Sequence, residues 1–234
     1  MKRLFVRTLL AVGIVAAFVG LVTLSYMQNS PNPADSQQYL ARPLSETGAS
    51  NRVAGIYLNY RLIDTLLEVL VFSVAVLGVR YYLRKSGSID LPDLSESEVV
   101  QTAVSFLSPL ALLLCMFFAV FGHISPGGGF AAGVIAASAL LYVAIAYGMA
   151  ATEAKWDPRR LAFVEKTILL SLLAFVLAPA LVGRSPLTDL LPKGTPGDFI
   201  SGGSILIYNV LIAAKVFIGA WLVIAAFALH RGEL

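Results

Sequence analysis

The sequence is poor in the residues from which most protein chemistry is built. Across 234 positions it has one cysteine, two histidines and only 13% charged residues. Cys115 stands alone inside an apolar run, which excludes an internal disulfide and a cysteine-based metal or iron–sulfur site. It reads as a small buried hydrophobe. With His123 and His230 as the two histidines, a two-histidine haem or metal site needs residues far apart in the chain. GxSxG, HExxH and the phosphate-binding patterns GxxxxGK[ST] and GxGxxG are all missing. No Lys/Arg run is long enough to resemble a nucleic-acid patch. Catalytic site, resident metal, cofactor and nucleic-acid partner are therefore not expected.

What is present is apolar surface. Hydrophobic residues make up 58% of the chain, mean hydropathy is +0.80 and the pI is near 9.0, whereas a soluble domain carries roughly 25% charged residues. Six apolar runs stand out: Thr8 to Ser25, Val53 to Tyr82, Thr102 to Phe121, Phe130 to Ala150, Leu161 to Val182 and Ser204 to Leu229. Each is near or above the ~20 residues that cross ~30 Å of hydrocarbon. The fold expected is an all-α integral membrane protein of about six transmembrane helices embedded in the lipid bilayer. The first run follows Lys2, Arg3 and Arg7 as a signal peptide would. It is longer than a signal core, however, and Tyr26, Met27 and Gln28 stand where small residues belong, so a retained helix is expected. The fifth run is the weakest, because Glu165 and Lys166 occupy its first turns.

Loop charge orients these spans. With the N-terminus inside, eleven Lys/Arg lie on the cytoplasmic side and four (Arg42, Arg52, Arg184, Lys193) on the other. Both termini are thus expected in the cytoplasm. The acidic polar stretch 86–101 is the expected linker between a two-helix segment, 1–85, and a four-helix domain, 102–234. Two long external loops, Asn29 to Ser50 and Gly183 to Gly203, are rich in Pro, Gly and Ser.

Charges at bilayer depth are costly, so they mark function or assembly. Arg61, Asp64 and Glu68 follow i, i+3, i+7 spacing and share one helix face, with the two acids expected close to mid-span and the Tyr57 hydroxyl on the same stripe. Arg61 can neutralise one acid and leaves the other for a proton or cation; the alternative is an ion-pair network that fixes the helix against a neighbour. Lys215 lies near the centre of the sixth run, too deep to snorkel. It needs water, a carboxylate or an assembly interior, as a proton-relay group or in a salt bridge to Glu68 or Asp64. His123 opens GHISPGGGF, where Pro126, Gly127, Gly128 and Gly129 break the helix between the third and fourth spans. His123 is a candidate proton donor there, or a structural residue.

Two stretches carry a resemblance. ETGASNRVAGIYLNYRLIDTLLEVLVFSVAVLGV, residues 46–79, resembles the C-terminal tail of MrpA-type subunits; residues 106–228 resemble the MnhB/MrpB family through FGHISPGGGFAAGVI and LPKGTPGDFISGGSILIYN, the latter containing Gly202, Gly203 and Asn209. The resemblance implies a membrane subunit of a multisubunit Na+/H+ antiporter module in a prokaryotic plasma membrane. Such modules occur in Mrp antiporters and in the ion-translocating arm of membrane-bound hydrogenase and sulfane reductase complexes. Its implied partners are other Mrp/complex-I-like membrane subunits, with Na+ and H+ as the ions. It implies an ion path through Glu68, with Asp64 in the same motif; Leu67 departs from the glycine usual before that acid. Joining tail-like and MnhB-like parts in one short chain points towards the redox-linked complexes. A scaffold subunit that seals and positions its neighbours is the competing reading.

Overall fold

The computed structural model describes Thr23, residues 43–83 and residues 97–229. The chain divides into two units, Met1–Ala41 and Arg42–Leu234, and the account below concerns the second. The first apolar run and most of the 86–101 stretch lie outside the described residues.

Two short helices, α1 (Pro43–Thr47) and α2 (Arg52–Gly55), lead through a π-helical turn, Ile56–Tyr60, into α3 (Leu62–Leu83). Then follow α4 (Glu98–Phe121), α5 (Gly129–Tyr147), the short α6 (Met149–Lys155), α7 (Pro158–Leu181) and α8 (Ile205–Leu229). Five of these, α3, α4, α5, α7 and α8, are long and apolar enough to cross a membrane. The described part is an all-α, multi-pass membrane architecture.

Local sequence explains the boundaries. Asn51 caps α2, its side chain accepting from the backbone of Val53 and Ala54. Asp157 caps α7 by accepting from Arg159 N at 2.9 Å, and Pro158 opens the helix where its missing N–H costs nothing. Between α4 and α5, Gly128 has φ 137°, a conformation open to glycine, so the chain turns sharply into the next span.

α8 is the hub, packing against α5, α7, α3 and α4. Its contact with α5 is a small-residue interface. A Cβ on Gly129 would fall 2.6 Å from Asn209 O, and one on Gly133 would fall 2.6 Å from Val216 Cβ. In lipid, such close backbone approach supplies the dispersion contacts that hold helices together. On another side of α8, Leu58, Leu62, Leu66 and Val69 meet Leu172 and Val176 of α7 and Ile205, Tyr208, Ile212 and Val216 of α8. Much of the surface of α4 stays exposed, as expected of a helix that faces lipid or a neighbouring subunit.

Candidate functional site

The start of α3 differs from the continuous span expected from hydropathy. The π-turn inserts one extra residue: Arg61 N donates to Ile56 O at 2.8 Å, and Arg61 then leaves helical geometry at φ −115° and ψ 31°. The Tyr57 carbonyl is taken up instead by the Thr65 hydroxyl at 2.6 Å. The long regular α-helix therefore begins at Leu62, with Asp64 in its first turn and Glu68 in its second. The π-turn also carries Tyr57 away from the acidic stripe. Its hydroxyl donates to Asn209 Oδ1 on α8 at 3.2 Å.

Arg61 and Asp64 do pair, with Arg61 Nε 2.6 Å and Nη2 2.5 Å from Asp64 Oδ2. Both side chains remain largely exposed, at 68% and 48%. Glu68 is exposed on the same helix and forms no ion pair among the described residues.

Lys215 is fully buried, and its partner is neither Glu68 nor Asp64. Its Nζ lies 2.6 Å from Oε1 of Glu165 on α7, a carboxylate 6% exposed. The expectation of a partner on α3 fails because α3 presents Phe72, not an acid, to the lysine: the ring centroid is 4.9 Å from Nζ. Glu165 is the residue that hydropathy marked as a flaw in the fifth run. A lysine and a glutamate on separate apolar spans, each too costly to bury alone, are a signal that the two belong together. The pair is a charge contact without full hydrogen-bond alignment, so the ammonium N–H groups have no aligned acceptor among the described residues.

The glycine motifs build a polar hinge at one end of the bundle. Asn209 Oδ1 accepts from Gly129 N at 3.1 Å as well as from Tyr57, tying α8 to the first residue of α5. Gly122 and Gly128 leave room for that cluster, since a Cβ on Gly122 would sit 2.9 Å from Asn209 Nδ2 and one on Gly128 would meet the Tyr57 hydroxyl. Pro126 is exposed at the tip of the turn, and a Cβ on Gly127 would lie 3.2 Å from Phe118 Cα. Asn51 clasps the turn from outside: its Nδ2 donates to Gly122 O at 2.8 Å and Ser125 O at 2.9 Å, and its N donates to His123 O at 3.0 Å. Asn51 is a residue the sequence reading missed, although Asn directly before a helix start is a capping signal.

His123 is fully buried beneath the 183–203 loop, with Nε2 3.1 Å from Phe199 O. A carbonyl can only accept, so Nε2 carries the proton in that contact. Burial lowers the His123 pKa, and the backbone around Phe199, Val120 and Asp198 opposes that shift. Gly202, at φ 74°, packs against the ring; Gly203, at φ 56°, lies against Asp189. Asp189 in turn accepts from Asn59 Nδ2 at 2.8 Å and from Ser204 N at 3.3 Å, beside an open polar pocket of about 530 Å³. The structure thus joins His123, Gly202 and Gly203 in one loop cluster and Gly128, Gly129 and Asn209 in another, while Lys215 sits apart with Glu165. No group of three His, Cys, Asp or Glu suited to a metal ion occurs among the described residues.

Comparison with known proteins agrees with this architecture. The chain is 28% identical to the uncharacterised protein MJ1307 of Methanocaldococcus jannaschii, over 89% of this chain and 86% of that protein. It superposes on a chain of the membrane-bound sulfane sulfur reductase, an archaeal respiratory membrane complex, with TM-score 0.71 and 27% identity, covering 92% of this chain and 98% of that one. It shares its fold with a chain of the Mrp complex from Dietzia sp. DQ12-45-1b, with TM-score 0.67 and 24% identity, covering 97% of this chain but 26% of the larger one. Residues 99–222, which include the helix-breaking glycines, the His123 loop, Asn209 and both members of the buried ion pair, match the domain related to the MnhB subunit of Na+/H+ antiporter, and the chain belongs to that family.

Proposed function

We propose that this protein is an ion-translocation subunit of a monovalent-cation/proton antiporter module, in which Glu68, with Asp64 and Arg61, and Lys215, with Glu165, contribute to a polar path. The observation that carries this reading is the Lys215–Glu165 pair. Two full charges inside an apolar bundle add little to stability that well-packed leucines would not supply better, so their presence is best explained by the ions they handle. Glu68 supports it as an exposed carboxylate on a membrane span that a neighbouring subunit or ion must meet.

The parent assembly in this reading is a respiratory complex of the sulfane-reductase kind. Near-complete mutual coverage with a single chain of that complex supports it, against a quarter of the Mrp chain. Residues 46–79 act as the MrpA-tail-like segment, within a 1–85 two-helix part that the 86–101 linker joins to the 102–234 domain. The chain sits in a prokaryotic plasma membrane with both termini cytoplasmic. His123 holds the loop cluster at the end of the path.

The second reading is a scaffold that seals and positions neighbouring subunits, favoured by the closed Arg61–Asp64 pair. Glu68→Gln and Lys215→Ala, each in the assembled complex, separate the two. Loss of Na+- and H+-coupled activity in either variant supports conduction; full activity in both overturns it.

A further inference from the structure

Across the α3–α8 contact, Phe72 on α3 meets Lys215 and Gly219, which are spaced i, i+4 on α8, and Glu68 lies one turn before Phe72 on α3. The Phe72 ring covers the side of the Lys215 ammonium that looks towards α3, its centroid 4.9 Å from Nζ, while Glu165 covers the side towards α7. The ring fits there because Gly219 has no side chain: a Cβ at that position would lie 2.5 Å from Phe72 Cε1 and 3.2 Å from Cζ. Phe72 is only partly buried and lies one turn along α3 from the exposed Glu68. The ammonium itself has no aligned acceptor to hold it rigidly among the described residues.

We propose that Phe72 is a gate, an apolar partition that closes the polar path between Glu68 and the Lys215–Glu165 pair; this rests on the conducting reading above. In the observed position the ring replaces water at the ammonium with an aromatic face, an attraction strong enough to hold it yet weak enough to be broken. A ring in this position blocks water chains as a hydrophobic constriction does. When the ring swings off Gly219, water reaches the ammonium. A proton leaving a Glu68 carboxylic acid then passes through water to the Glu165 carboxylate. Glu165 becomes neutral as Glu68 becomes charged, and Lys215 keeps its proton throughout.

The test uses the complex purified through a tag on this chain and reconstituted in proteoliposomes, with passive proton uptake followed by an internal pH dye under a potassium diffusion potential. Phe72→Ala is expected to raise passive uptake by about tenfold or more, the effect of lowering a barrier by roughly 1.4 kcal/mol. Phe72→Leu, which keeps the apolar plug, is expected to stay tight. Adding Glu165→Gln, which removes the accepting carboxylate, to Phe72→Ala is expected to abolish the leak. An assembled Phe72→Ala complex as proton-tight as the unsubstituted one overturns the gate. If Phe72→Ala does not assemble, Gly219→Ala, which forces the ring off α8, is read by the same criterion. Loss of coupled transport in Lys215→Ala with a tight Phe72→Ala complex removes the gate alone. Full coupled transport in both Lys215→Ala and Glu68→Gln removes the conducting reading itself.

Discussion

Lys215 Nζ on α8 and Glu165 Oε1 on α7 meet at 2.6 Å inside an apolar bundle, with the lysine 0% and the glutamate 6% exposed. Neither charge has water to fall back on, so each is the other's main source of neutralisation. Lys215→Ala alone is expected to destabilise the protein by about 3–5 kcal/mol, because it strands a buried carboxylate. Lys215→Met with Glu165→Leu is expected to recover most of that loss while remaining inactive in transport. Thermal unfolding of the detergent-solubilised complex over the four-member cycle checks this; additive single effects would mean that the two charges are uncoupled.

The α5–α8 contact depends on missing side chains. Gly133→Ala would bring a Cβ to 2.6 Å from Val216 Cβ and 2.7 Å from Ala213 O, neither of which can swing away. A loss of about 1–3 kcal/mol is expected. Gly78→Ala on α3, with nothing within 4 Å of its added Cβ, serves as the control and is expected to melt at or slightly above the unsubstituted temperature.

His123 gives the loop cluster a pH dependence of known sign. Burial holds its pKa below the ordinary 6.5, so as pH falls through 6.5 the unfolded chain takes up a proton before the folded one does. Stability contributed by the neutral ring is thus full above pH 6.5 and declines below it. Melting temperatures between pH 5 and 8 are expected to fall on the acid side for the unsubstituted protein. The slope is expected to flatten in His123→Gln; an unchanged slope would assign the acid sensitivity to other groups.

Asn51 makes three contacts to the Gly122–Ser125 turn while capping α2. Asn51→Ala removes a helix cap worth about 1 kcal/mol and two side-chain hydrogen bonds worth about 1 kcal/mol each. A loss of about 2–4 kcal/mol is expected. Faster hydrogen exchange at Gly128 and Gly129 should accompany it, because the turn loses its outer clasp.

The spans were legible because lipid imposes a simple length rule: the five described spans overlap the second to sixth runs read from hydropathy. The Arg61–Asp64 pair was legible from i, i+3 spacing alone. The surrounding backbone was not, because the π-turn at 56–60 leaves no mark in hydropathy, yet it starts the regular α-helix at Leu62, and Tyr57 bonds to Asn209. Lys215 announced that it needed a partner. Which partner depended on how α3 and α7 pack against α8, information that resides in helix packing and not in any single helix. His123 was visible as an isolated histidine, but its burial follows from a loop that folds back over it from residue 199.

The contact between α5 and α8 has a mechanical consequence. Where Gly129 and Gly133 bring backbone against backbone, neither helix can slide without a steric clash, so the two behave as one stator. Towards α3 and α7, α8 makes its contacts through side chains instead: the apolar cluster around Leu66, Leu172 and Ile212, the Phe72 ring and the Lys215–Glu165 pair. The α5–α8 seam therefore tolerates no added atom, whereas the α3 and α7 contacts can be altered by exchanging one side chain for another of similar volume.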